Sequence, residues 1–252
     1  MLDADPLHPA RLLPLQGATN FRDLGGYTGH GGRPLHPRRL FRSDHLAGLT
    51  AADHETLAHL GITRAFDFRG VHERAAQDYA LPGLRQHSLA IEPSVAQEMH
   101  ALAQAGIPLT PARMEGLMQD LYRRLVNENA AVFAQWFTQL LDEASPLVFH
   151  CTAGKDRTGV AAMLLLRALG VDPVVVEQDY MLTNRYYRRP SAPDERIPDD
   201  ALAVLWSVRP SFLQAALDHV EQHHGGMERY LAGPMKLSAA ARSRLADHYL
   251  AT

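Results

Sequence analysis

A cysteine, five residues and an arginine stand between an apolar run and an apolar helix in this chain. The stretch is Val148-Phe149-His150-Cys151-Thr152-Ala153-Gly154-Lys155-Asp156-Arg157-Thr158-Gly159. Leu147-Val148-Phe149 predicts a short buried strand, and Thr158-Gly159 opens a helix over Val160 to Leu169. A loop from a strand into a helix N-terminus presents unpaired N–H groups and the positive end of the helix dipole, which together favour an anion. A cysteine at the floor of such a loop has its thiolate stabilised by the same field. Arg157 adds a planar fork of donors that matches phosphate oxygens. A nucleophilic thiolate inside a phosphate cradle predicts attack on a phosphate ester through a covalent phosphocysteine. The backbone from Thr152 through Ala153, Gly154, Lys155 and Asp156 to Arg157 is the expected phosphate cradle.

His-Cys-(five residues)-Arg-Thr, with Gly154-Lys155-Asp156 inside the loop, resembles the signature of the protein tyrosine phosphatase superfamily, in its bacterial tyrosine/lipid phosphatase branch. Asn20-Phe21-Arg22-Asp23-Leu24-Gly25-Gly26 and Leu40-Phe41-Arg42-Ser43 are similar to the same branch. The resemblance runs from about Gly17 to the C-terminal helices. It implies hydrolysis of phosphotyrosine, in some members also phosphoserine/threonine and phosphoinositides, with no cofactor and no metal. It also implies that His150 orients the loop and that the Thr158 hydroxyl donates to the cysteine sulfur. The plain reading of Thr158 is the N-cap of the following helix.

Such chemistry needs an acid for the leaving oxygen and then a base for water. Two aspartates compete. Asp156 lies in the loop beside Arg157, and its counterpart in the related enzymes has a catalytic part. Asp67 ends an expected strand, Ile62–Phe68, and carboxyl ends of strands in open α/β sheets face the ligand crevice. Its alternative is a salt bridge with Arg69 or Arg42. The mobile Trp-Pro-Asp loop of eukaryotic relatives is absent, so the choice stays open here. Arg22, Asp23 and Arg42 read as a network bracing the loop. Lys155 resembles the lysine with which phosphoinositide phosphatases meet a second phosphate, yet Thr152 stands where lipid-selective members carry another lysine.

The elements that position these residues predict an α/β fold, a small central, mostly parallel sheet flanked by helices. With 252 residues, 46% of them hydrophobic, the chain suffices for one phosphatase domain over 1–252. Thr50 with Asp53 predicts a capped helix ending at Gly61. Leu84 to Ile91 predicts a further strand. Arg113 to Glu143 predicts two helices or one bent one, with Leu117, Leu121, Leu125, Phe133 and Phe137 at helical spacing. Helices follow over Pro173–Arg185, Asp199–Trp206, Ser211–His223, Met227–Leu231 and Ser238–Leu250, with a polar linker or lid edge at 191–198. Residues 92–130 correspond to a helical lid in relatives. Here Met99, Leu102, Ile107, Leu109, Met114 and Met118 would either cover the pocket or fill an ordinary core layer.

A net charge of −3 gives no global basic field for nucleic acid. No stretch approaches the ~18 apolar residues of a spanning helix, which speaks against integral membrane association. One cysteine excludes an internal disulfide framework. A reduced, cytoplasmic setting follows, with no signal peptide read at the N-terminus and export by a signal-independent route left open. His219 and His223 are four apart, but no zincin pattern accompanies them. The expected partner is a phosphorylated protein or a phosphoinositide. The rivals are a non-catalytic phosphate-binding module, a phosphatase for a small-molecule or inositol phosphate, and sulfur or arsenate chemistry on a similar loop.

Overall fold

The structure, a computed structural model, describes residues 11–189 and 197–252. A five-stranded sheet runs through it: β1 (Arg22–Asp23), β2 (Leu40–Ser43), β3 (Arg64–Asp67), β4 (Arg85–Ser88) and β5 (Leu147–His150). The order is β1-β2-β5-β3-β4, antiparallel only between β1 and β2. The last strand is therefore central, between β2 and β3. The register sets Ser43 and Asp67 on either side of His150, so three strands end together beneath Cys151. That is the crevice at the carboxyl ends of a parallel sheet.

Alternation along the strands divides the core. Leu40, Phe66, Phe68, Leu147 and Phe149 face a large helical layer, whereas Phe41, Ala65 and Val148 face Phe21, Leu57 and Tyr79. Both faces of the central strands are covered, as parallel sheets require. β4 closes one edge with exposed, polar Arg85, Gln86 and Ser88, which discourages further strand pairing.

Helix α1 (Ala51–His59) carries the expected capping box between Thr50 and Asp53. A short α2 (Val71–Ala76) follows β3, unforeseen in the sequence because it holds fewer than two turns. Between β4 and β5 come α3 (Ser94–Gln104), α4 (Pro111–Asn127) and α5 (Ala130–Asp142). The stretch 113–143 is thus two helices, broken near Asn129. Thr110 caps α4, with Pro111 in its first turn. After β5, α6 (Asp156–Ala168) starts two residues earlier than expected, so Thr158 lies inside it and does not cap it. It is buried nearly all round, as a helix without a polar face must be. The remainder is α7 (Pro173–Met181), α8 (Thr183–Tyr186), α9 (Asp199–Leu205), α10 (Pro210–His224), α11 (Met227–Ala232) and α12 (Ala239–Tyr249). The linker expected at 191–198 falls mostly outside the described residues. No helix among those described is long and apolar enough to cross a membrane.

Candidate active site

The loop Cys151–Lys155 is turned inside out relative to a chance loop, and its hydrogen bonds show how. Every carbonyl is drawn outward. Cys151 O accepts from His150 Nδ1 at 3.2 Å, and Thr152 O from the His45 amide at 3.1 Å. Ala153 O and Gly154 O accept from Asn20 Nδ2 at 3.3 and 3.0 Å. Arg42 Nη2 donates to Gly154 O at 2.9 Å, and the Gly159 amide to Lys155 O at 2.9 Å. With the carbonyls held out, the N–H groups of Thr152 to Arg157 are left over. None of them donates to a partner among the described residues. The loop therefore presents a nest of donors at a helix N-terminus, above a Cys151 that is 2% exposed. Gly154 is required at its bend. Its φ is +62°, and a Cβ there would lie 2.2 Å from Ser43 O.

Arg22 and Arg42 meet in one buried network, centred on Asp179, a residue the sequence did not signal. β1 and β2 set these two arginines opposite each other. Both guanidiniums converge on Asp179 of α7, at 3.1 and 2.8 Å, and all three side chains are buried. Arg22 also donates to Asn20 Oδ1 at 2.5 Å, fixing the amide that holds the loop. Burial disfavours the Asp179 charge, but the two arginines outweigh it and hold the carboxyl down at about 2. Burial, with Arg22 beside it, brings Arg42 down to about 10, so it stays a cation at neutral pH. Asp23 takes no part. Its neighbour Arg22 points to one face and it points to the other. It accepts from the Gly25 and Arg38 amides at 2.8 and 2.7 Å, bracing the β1–β2 connection instead of the loop.

Arg157 is aimed by a carboxylate. Its Nη1 and Nη2 donate to Glu73 at 2.5 and 2.9 Å, and Nη1 also to Ile91 O at 3.0 Å. Glu73 accepts in addition from Thr152 Oγ1 and from the Gly70 amide. Burial works against its charge, yet Arg157 and these donors keep the carboxyl below its ordinary range. Its one sequence signal is Gly70-x-x-Glu73, the N-cap to N3 spacing that starts α2.

The two candidate acids part company. Asp67 is fully buried, and Arg69 occupies it through Nε and Nη2 at 3.0 and 2.8 Å, with Gln86 adding 3.1 Å. Burial opposes its charge, but these donors hold it below the usual carboxylate range. An acid that donates in the transition state must reach the leaving oxygen. Asp67 instead lies 3.9 Å from His150, under the loop, and its alternative reading as the partner of Arg69 describes its geometry. Asp156 differs: its side chain is 20% exposed and lines a cleft together with Arg157. The Lys155 ammonium is committed: the residue is 2% exposed, and its Nζ donates to the carbonyls of Leu205 and Ser207. Thr158 Oγ1, in the first turn of α6, is buried with no hydrogen-bond partner among the described residues.

The cleft holds about 640 Å³, with Met99, Leu109, Met118, Leu121, Leu205 and Trp206 among its walls. Met114 and Met118 are buried in the core, whereas Ile107 is 37% exposed. The stretch 92–130 thus divides: α4 is packed into the core and gives Met118 and Leu121 to the cleft, and α3 flanks the same cleft. His219 and His223 stack at 4.1 Å on α10, and among the described residues no three metal-ligating side chains gather.

A family model described as the tyrosine phosphatase family matches residues 13–251. The chain belongs to the tyrosine phosphatase family. Its enzyme class is that of the family, protein-tyrosine phosphatase. A Cupriavidus necator protein named as a tyrosine-protein phosphatase is 36% identical over 92% of this chain and 86% of its own length. The triple specificity protein phosphatase PtpB of Mycobacterium tuberculosis is 30% identical over 86% of this chain and 91% of its own. The crystal structure of P. aeruginosa TpbA aligns at a TM-score of 0.41 and 16% identity, over 83% of this chain and 98% of that one.

Within this phosphatase, His150 acts as a neutral strut. Burial brings it down to about 4, so Nδ1–H donates to Cys151 O while Nε2 accepts from Tyr79 Oη at 2.6 Å. Its folded value lies below the ordinary 6.5, so the unfolded chain takes up the proton first as pH falls. The stability it contributes is complete above about 6.5 and drains away between 6.5 and 4. His87 and His219 are depressed in the same direction, so the comparison is with His150→Gln. Urea unfolding from pH 7 to 4.5 is expected to show a steeper loss in the wild type than in the variant. Equal slopes would mean that His150 is charged in the folded protein.

Proposed function

We propose that this phosphatase hydrolyses phosphate monoesters through a phosphocysteine on Cys151, with phosphotyrosine as its principal substrate. The loop whose carbonyls all point outward, with Cys151 at its floor and Arg157 aimed by Glu73, carries the reading. A phosphoryl dianion fits the six amides from Thr152 to Arg157 and the Arg157 fork. The Cys151 thiolate attacks in line, so an S–P bond forms as the P–O bond to the leaving group breaks. Asp156 gives its proton to the leaving oxygen. The resulting carboxylate then takes a proton from water, the water oxygen bonds to phosphorus, and the S–P bond breaks to return the thiolate and release orthophosphate. The protein's share is positioning and charge stabilisation. On this reading the Thr158 hydroxyl, which has no hydrogen-bond partner among the described residues, steadies the returning sulfur.

Two features support an aryl ester over a multiply phosphorylated headgroup. Cys151 is almost wholly buried, so the ester must reach down to it, and the cleft that Asp156 and Arg157 line has mostly apolar walls. The Lys155 ammonium is taken by backbone carbonyls, leaving no free loop cation for a second phosphate. Phosphoserine/threonine and phosphoinositides are secondary substrates on this account.

The test is phosphate release, with EDTA present, from a phosphotyrosine peptide, a phosphoserine peptide and short-chain phosphoinositides. Release is expected without metal and fastest from phosphotyrosine. Phosphate binding without release from any of them would move the chain to the non-catalytic reading. Release fastest from the inositol lipid would overturn the substrate assignment.

A further inference from the structure

Asp156 is the first residue of α6, and an isolated side chain there has several staggered rotamers open to it. One is selected from outside the loop. Tyr122, in α4, donates its phenolic hydrogen to Asp156 Oδ1 at 2.9 Å. Tyr180, in α7, donates to the Tyr122 oxygen at 2.6 Å. The rings meet edge to face, centroids 6.0 Å apart. Both side chains are buried, and α6 fits closely under Tyr180: a Cβ on Gly159 would stand 3.1 Å from its ring. Burial, reinforced by the Asp156 charge, pushes both phenols well above their ordinary value, so both remain donors.

The two carboxyl oxygens of Asp156 are consequently unequal. Oδ1 accepts from Tyr122 and has the Lys155 ammonium at 3.4 Å. Oδ2 has no partner among the described residues, and Asp156 lines the cleft beside Arg157. A carboxyl oxygen that already accepts from a phenol and faces an ammonium is a poor place for a proton. When Asp156 is the acid, its hydrogen therefore sits on Oδ2. Phenylalanine at 122 and 180 would fill the same space without this effect, and burying two hydroxyls is tolerable only because the chain of donors ends on a carboxylate.

We infer that Tyr122, backed by Tyr180, is the positioning residue of the acid–base step: it anchors Asp156 Oδ1 and so presents the proton-bearing Oδ2 to the leaving group. This rests on the reading of Asp156 as the acid–base residue.

The test uses esters that differ in their need for a proton. Tyr122→Phe is expected to lower kcat on a phosphoserine peptide about tenfold, the loss of one charge-assisted hydrogen bond. On para-nitrophenyl phosphate, whose leaving oxygen needs little protonation, the fall is expected to stay within about threefold, with KM little changed on both. In an Asp156→Asn background Tyr122→Phe is expected to add nothing. Tyr180→Phe keeps the donor but frees it to turn, so the same selectivity at smaller size is expected, and this variant serves if Tyr122→Phe does not fold. An equal fall on both esters, no fall at all, or a full further loss in the Asp156→Asn background would overturn the inference. These outcomes count against Tyr122 only where the wild type shows Cys151-dependent turnover. Without that turnover, the phosphocysteine reading itself fails first.

Discussion

Cys151→Ser is expected to lose at least about 10⁴-fold in turnover while still binding inorganic phosphate. A hydroxyl in place of the thiol is a far weaker nucleophile at neutral pH, and nothing near it is built to remove its proton. The neighbouring His150 is committed on both nitrogens, to Cys151 O and to Tyr79. The proposed phosphate cradle is made of backbone amides and Arg157, which the substitution leaves in place. Loss of turnover with retention of phosphate, read by phosphate release beside calorimetric titration, separates a nucleophile from a mere binding group. Turnover near the wild-type rate would remove Cys151 from the chemistry.

Arg157→Lys carries the second largest expected effect, a fall in kcat of about 10²- to 10³-fold. An ammonium keeps the charge but not the planar fork. On the proposed reading the fork is used twice over, toward the phosphoryl oxygens and toward Glu73, where two N–H groups meet two carboxylate oxygens. A lysine would satisfy one partner at a time. Glu73, half-buried and holding Thr152 as well, would then bring an uncompensated negative charge toward the phosphate. Glu73→Gln tests the same contact from the other side. It is expected to raise KM and lower kcat together, by about tenfold each, because Arg157 loses its aim and keeps its charge. Steady-state kinetics on one phosphotyrosine peptide measure all three variants. Equal rates for Arg157→Lys and wild type would show that charge alone suffices.

What the sequence revealed follows from the range of the interactions involved. The strand, the loop and α6 are contiguous, so their residue types and spacing disclosed the strand–loop–helix turn that carries the thiol and the arginine. Thr50 with Asp53, and the apolar periodicity over 113–143, were readable for the same reason. The partners that aim the cradle were not. Glu73 meets Arg157 across 84 residues, and Asp179 meets Arg22 across 157. Only the sheet order, with β5 inserted between β2 and β3, brings these segments together. Asp67 shows the opposite failure. Its place at a strand end was read correctly, but strand register alone does not say which way a side chain's partners lie. Arg69, two residues on, covers its carboxylate. Lys155 was legible as a loop cation, and its burial against Leu205 and Ser207 depends on α9, which no local pattern ties to the loop.

The covalent intermediate is the centre of the account, and its direct test is the mass of the peptide that contains Cys151. Wild type and Asp156→Asn are mixed with para-nitrophenyl phosphate, quenched within milliseconds, digested and weighed. Asp156→Asn removes the base for the second step, so with this good leaving group the intermediate is expected to build up. One added phosphoryl group on Cys151, formed in step with a burst of para-nitrophenol and absent in Cys151→Ser, is the predicted result. A burst of para-nitrophenol with Cys151 unmodified, or with the phosphoryl group on another residue, would contradict it.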